Sequence, residues 1–310
     1  MNSSPLKLRV DYLRDGLIEE YHEGLIYFIG SDKYGDTNGD KIPYFLRSCS
    51  KPLQSSLLLD FNINFSPEEL AFCSGSHAGE DCHVETAFKI LKKLNLSECN
   101  LKCGIHDPLS RTMQDKMLLR NEKPSQIHNN CSGKHLGFLA LCLKNNWDLE
   151  TYYKLEHPLQ QLVISKIYNM CEIPSAKTYP ITTDGCGVPS PSIPLYNLLL
   201  GFRNLSREYP TLVGAIFENP YIYGGENRLD TEIIQQSTGL LAKVGAGGLC
   251  VVYNVNLDKG FVIKMNDASM PARRYAVLEL INKLGWAEIL YDNTIKTIHG
   301  KTVGEIVVRF

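Results

Sequence analysis

The chain has 310 residues, 44% of them hydrophobic and 21% charged, enough to bury a full core without disulfide staples. Its 32 basic and 34 acidic residues leave a net charge of -2 with no long run of one sign, which excludes the cationic surface that a nucleic-acid backbone requires. Residues 1–10 lack the apolar stretch of a secretory signal, and no segment approaches the roughly 18 apolar residues of a membrane helix, so the expectation is a cytoplasmic protein with no membrane partner.

In chain order, Leu6 to Arg14 and Leu25 to Ile29 read as strands, the second ending at the turn signal Gly30-Ser31-Asp32. Helices follow: Val84, Ala87, Phe88, Leu91 and Leu94 recur at helical spacing, as do Leu159, Leu162, Val163, Ile167 and Met170 behind Pro158. Leu249 to Asn254 and Phe261 to Met265, separated by Leu257-Asp258-Lys259-Gly260, read as a hairpin. Arg273 to Leu284 is helical with Gly285 as its stop, and Glu305 to Phe310 is a final strand. The predicted fold class is α/β of the α+β kind: a sheet from both chain ends, flanked by helices, with an inserted helical region. Residues 1–310 are read as one catalytic unit, with 1–65 and 185–310 forming the sheet region and 66–184 the mainly helical one. Of the ten cysteines, spread over a long chain in a reducing compartment, most are read as free thiols; Cys142 and Cys171 lie in apolar helical patterns and fit as core filler.

Arg47-Ser48-Cys49-Ser50-Lys51-Pro52 contains S-x-x-K, which on a helix puts Ser48 and Lys51 on one face. Pro52 is tolerated only in a first turn, so the helix begins near Ser48 and its positive end faces that hydroxyl. A serine becomes a nucleophile when a base takes its proton, and a lysine with a lowered pKa can do so. The motif alone fits an ordinary N-cap serine equally. Lys243-Val244-Gly245-Ala246 ahead of a strand parallels the K-T-G element that accompanies S-x-x-K in serine β-lactamases and penicillin-binding proteins, whereas S-D-N is absent. In its place stands Cys73-Ser74-Gly75-Ser76-His77-Ala78-Gly79-Glu80, where Ser76 is expected to pair with Lys243, unless the segment is simply a Gly/Ser loop with an ion-paired glutamate.

Two further polar loops hold thiols: Asn129-Asn130-Cys131-Ser132-Gly133-Lys134-His135, ahead of an apolar helix over Leu136 to Leu143, and Thr183-Asp184-Gly185-Cys186-Gly187. Their spacing matches neither the C-x-x-C pairs of a structural zinc finger nor the signature of zinc deaminases, so by pattern alone the thiols are as well read as incidental.

Six segments taken together are similar to the rhizobial-type L-asparaginases: Gly16 to His22, Arg47 to Pro52, Ser76 to Asp81, Asn130 to His135, Thr183 to Cys186, and Leu241 to Ala246. The resemblance spans nearly the whole chain and implies a serine β-lactamase/glutaminase-like fold and hydrolysis of the side-chain amide of L-asparagine. It also implies Ser48 as nucleophile with Lys51 as its base, and Ser76 with Lys243 as a supporting pair. Cys131, Lys134 and Cys186 would hold zinc. Arg47, His135 and Asp184 would lie near the substrate, with Arg47 suited to its carboxylate and Asp184 to its ammonium, and the backbone N–H of Ala246 would face the developing oxyanion. A homodimer is the implied assembly. The competing readings are a serine-dependent glutaminase and, from another class, a zinc- or amino-acid-binding protein without catalysis.

Overall fold

The computed structural model describes residues 4–310. Strand β1 (Leu6–Arg14) turns through Asp15 and Gly16, both at positive φ, into β2 (Leu17–Ile29). Asp-Gly is the sequence that a two-residue hairpin turn favours, because both central positions need φ above zero. The turn carries β2 eight residues earlier than the apolar pattern alone indicates, since residues 17–23 pair with β1 while facing mostly solvent. A short β3 (Pro43–Phe45) leads into a 3-10 turn over Arg47–Ser50 and then α1 (Lys51–Asp60). Next come α2 (Pro67–Ser74), α3 (Asp81–Leu94), α4 (Arg111–Leu119), α5 (Ser132–Asn145) and α6 (Pro158–Met170). Strands β4 (Ile181–Thr183) and β5 (Pro189–Pro194) precede α7 (Leu195–Glu208), α8 (Pro210–Glu218), α9 (Pro220–Tyr223) and α10 (Leu229–Gln235). The chain closes with β6 (Leu240–Gly245), β7 (Leu249–Asn254), β8 (Lys259–Met265), α11 (Met270–Lys283), β9 (Thr294–Lys296) and β10 (Thr302–Arg309).

Seven strands form one sheet in the order β6-β7-β8-β2-β1-β10-β9 with every neighbouring pair antiparallel, and the fold is α+β. The N-terminal hairpin sits in the middle and the C-terminal strands extend it on both sides, as expected of a sheet drawn from both chain ends. Each face carries its own core. Val10, Ile26, Phe28, Ala242, Val252 and Ile263 pack with Ala276, Val277 and Ile281 of α11. Tyr27, Leu241, Val251, Tyr253 and Val262 pack on the other face against α1, α2, α5 and α7.

Strand parity places a charged residue in that second layer. Side chains alternate along β6, so Lys243 points the same way as Leu241, and it stands opposite Val251 of β7. A second sheet, β3-β5-β4, lies beside the site. Its central strand, Pro-Ser-Pro-Ser-Ile-Pro, is wholly buried. Such a proline-rich run carries no strand signal, since proline lacks the N–H that a ladder uses. Among the described residues no helix is long and apolar enough to cross a membrane.

Candidate active site

The 3-10 turn that starts α1 is fixed from outside. Leu46 N–H donates to Pro191 O at 3.1 Å, Arg47 N–H to Ser190 Oγ at 3.2 Å, and Cys49 Sγ–H to Lys243 O at 3.2 Å. Arg47 sits at φ +47°, an uncommon backbone state for a side-chain-bearing residue and one that clusters at functional sites. Gly245 lets β6 reach this turn, because a Cβ there would stand 3.0 Å from Cys49 Sγ. The result is a cavity of about 430 Å³ into which Ser48, Ser76, Cys131, Asp184, Cys186 and Ala246 all open. The Ser48 hydroxyl makes no hydrogen bond among the described residues.

Lys51 lies one helical turn after Ser48, and its Nζ donates to Ser76 Oγ and to Asn130 O, both at 2.9 Å. Burial pulls its pKa down to about 8; the Cys131 and Cys186 sulfurs oppose that pull, while the Lys134 and Lys243 charges add to it. The end of α2 delivers Ser76: its N–H donates to Tyr223 O at 3.0 Å, and a Cβ on Gly75 would be 2.0 Å from the same carbonyl oxygen, so only glycine fits. His77 braces the loop. It stacks on Phe72 and His83 with centroids 4.7 and 5.0 Å away, and its Nε2 is 2.9 Å from Ser132 Oγ. Burial pushes the His77 imidazole well below its ordinary pKa, which keeps it neutral.

Here the structure corrects the expected pairing of Ser76 with Lys243. Ser76 belongs to Lys51, and Lys243 makes a buried ion pair with Asp230 of α10 at 2.9 Å, with a second bond to Val244 O at 3.1 Å. Asp230 was missed by sequence reasoning. Burial alone would raise its carboxyl, but Lys243 and Arg228 hold it below the usual range, so it is a carboxylate. The available signal was an acid sharing a helix with the buried Leu229 and Ile233, because a charge that is buried is nearly always paired.

Cys131, Lys134 and Cys186 converge. Lys134 Nζ donates to Cys186 Sγ at 3.0 Å, and a tight turn with Gly187 N–H on Asp184 O aims Cys186 inward. The neighbouring Cys131 thiol lowers Cys186 to about 5 against the cost of burial, with Lys134 adding to the fall. Cys131 is raised to about 12, first by that same contact. One proton is therefore shared by the two sulfurs, with Cys186 the thiolate. Burial opposes the charge on Lys134, but the two sulfurs and Asp184 outweigh it and hold the amine above its ordinary value. Two buried sulfurs and one amine nitrogen are a donor set suited to zinc, provided that the metal displaces the amine proton.

Arg47 Nε donates to Asp184 Oδ1 at 2.6 Å, and Gly185 N–H donates to the same oxygen at 2.9 Å, leaving Oδ2 without a hydrogen bond among the described residues. Burial would raise the Asp184 carboxyl, yet Lys134 and Arg47 keep it below its usual range. His135 is set apart from the other expected residues. It is fully buried and does not line the cavity; its Nδ1 is hydrogen-bonded with Tyr152 Oη at 2.6 Å, and its Nε2 has no partner among the described residues. Burial lowers it to about 3, so the ring is neutral. A separate cluster, Glu80, Cys82 and His83, has donor atoms within 4.8 Å of one another. Both of its His83 nitrogens already face Glu80 N–H and Tyr221 O, and the Glu80 oxygens accept from Tyr221 Oη and Glu226 N–H, so it acts as a clasp for the segment after α9.

No curated protein matches the chain. The family model for L-asparaginase II matches residues 10–308, which takes in every residue of the cavity described above. The chain thus belongs to the L-asparaginase II family, and it is an asparaginase-type amidohydrolase acting on a small molecule.

Proposed function

We propose that the protein hydrolyses the side-chain amide of L-asparagine to L-aspartate and ammonia, with Ser48 as the nucleophile and Lys51 as its base. The observation that carries this reading is an unbonded serine hydroxyl opening into the cavity one helical turn from a buried lysine lowered to about 8. A neutral amine near the working pH is what general-base catalysis requires. Ser48 Oγ attacks the amide carbon and its proton passes to Lys51. The C–N bond then breaks as Lys51 returns that proton to the leaving nitrogen, giving ammonia and an aspartyl ester on Ser48. Water attacks the ester carbon, again with Lys51 as base, and aspartate leaves as Ser48 regains its proton.

Ser76, held by Lys51, is positioned to relay that proton, and the backbone N–H groups of Ser48 and Ala246 are the proposed oxyanion donors. The unbonded Oδ2 of Asp184 suits the substrate ammonium. Cys131, Lys134 and Cys186 would hold zinc, which would supply a fixed positive charge beside the substrate. Ser48 and Lys51, not the metal, carry the reaction steps.

Ammonia release from asparagine and glutamine, measured side by side with zinc content on the same sample, tests the reading. Turnover of asparagine in the wild type and its loss in Ser48→Ala support it; full turnover in Ser48→Ala overturns it. Faster turnover of glutamine would move the substrate by one methylene, a change worth only about 1 to 3 kcal/mol in such a pocket.

A further inference from the structure

An amino-acid substrate brings a carboxylate, and a buried carboxylate needs a cation that is not already neutralised. Three arginines line the cavity. Arg47 is neutralised by Asp184 at 2.6 Å. Arg273 also has a buried Nε with no partner, but its Nη1 donates to Gly245 O at 2.9 Å and Leu249 O at 3.1 Å, so its guanidinium is committed to clamping the turn that carries Ala246. Arg228, at the residue before α10, makes no side-chain hydrogen bond or ion pair among the described residues, and its Nε is buried with no partner. Its nearest acid in sequence, Asp230, is engaged through Oδ2 by Lys243 and is not hydrogen-bonded to Arg228, although both charges hold its carboxyl low; one carboxylate thus faces two cations, and one positive charge is left over.

We infer that Arg228 is the anchor for the substrate's α-carboxylate, and so a specificity-determining residue that admits α-amino acids bearing a free carboxylate. This rests on the amidohydrolase reading of the same cavity and adds the recognition that reading lacks. Arg228 also borders a second cavity, of about 530 Å³, but that one is lined by Glu226 and by a Glu232 already paired with Arg274, and it contains neither Ser48 nor Asp184. The carboxylate therefore belongs on the Ser48 side of the guanidinium. With Asp184 taking the ammonium, the two charged ends of the amino acid are held by residues from distant parts of the chain, and the side-chain amide is left to face Ser48.

The test compares asparagine with its α-N-methylamide, whose side-chain hydrolysis alone releases ammonia and which has no carboxylate. The wild type is expected to favour asparagine by roughly 10²-fold in kcat/KM, as for a buried charge pair that loses one partner. In Arg228→Ala that preference collapses to within a few-fold because asparagine alone suffers, mainly through KM, while Arg228→Lys retains part of it. Equal losses on both substrates would assign Arg228 a merely structural role and overturn the inference. So would collapse of the preference in Arg47→Ala with Arg228→Ala unaffected. Calorimetric binding of L-aspartate separates this inference from the function: if the wild type fails to turn over asparagine yet binds aspartate only with Arg228 present, the reaction assignment falls and the anchor stands. Aspartate binding with equal affinity to Arg228→Ala rejects the anchor.

Discussion

Lys51 and Lys243 are buried alike, 1% and 0% exposed, and are two sides of one site, yet their partners differ in kind. Lys51 meets a hydroxyl and a carbonyl; Lys243 meets a carboxylate as buried as itself. Burial disfavours the charged form of any amine, and a carboxylate in contact reverses that preference. The comparison separates the two lysines: Lys51, lowered to about 8, fits the base of the proposed mechanism, whereas Lys243 is tied to Asp230 in an ion pair that joins α10 to β6.

The largest expected effects separate those roles. Lys51→Met should lower kcat by about 10²- to 10⁴-fold, the usual worth of a general base. Its thermal midpoint should stay close to that of the wild type, because Ser76 and Asn130 keep polar groups that face the cavity. Lys243→Met instead strands the Asp230 carboxylate and should cost about 3 to 5 kcal/mol of stability, read from urea unfolding. Adding Asp230→Leu should recover most of that loss, since a buried pair replaced by apolar groups is often near neutral. Unaltered stability in Lys243→Met would break the comparison.

The cysteines sharpen it at smaller scale. Cys186 is lowered to about 5, whereas burial raises Cys142 to about 12 and also pushes Cys171 up. In metal-free protein at pH 7, iodoacetamide should modify Cys186 well before Cys142 or Cys171, because the thiolate is the reactive form. Added zinc should protect it, and Cys131→Ala should slow its reaction by removing the neighbouring sulfur that lowers it. Peptide mass spectrometry over time reads all three.

The sequence carried some of this and concealed the rest for definable reasons. Ser48 and Lys51 were legible because both lie within one helical turn, where spacing alone fixes a shared face. Their company was not. Ser76 is presented by a glycine that closes on Tyr223, and Asp230 reaches Lys243 across a packed helix, so the hydroxyl expected beside Lys243 went to Lys51 and a carboxylate took its place. Period-two alternation exposed the strands at both chain ends, but it could not show β5, whose prolines and serines are buried on every side. It also stopped short at Leu25, although Asp15-Gly16 held the hairpin signal that extends β2 to Leu17. His135 stood within the matching segment, and its ring meets Tyr152, because sequence proximity to Lys134 fixes the helix and not the direction of the ring.

The proton state of Lys51 is the point on which the account turns, and the pH dependence of kcat/KM for ammonia release from asparagine reads it directly. A base lowered to about 8 is inactive when protonated, so the rate should rise with pH through a midpoint near 8, fall about tenfold per pH unit on the acid side, and lose that limb in Lys51→Met. A rate independent of pH between 6 and 10, or the same ascending limb in Lys51→Met, would contradict it.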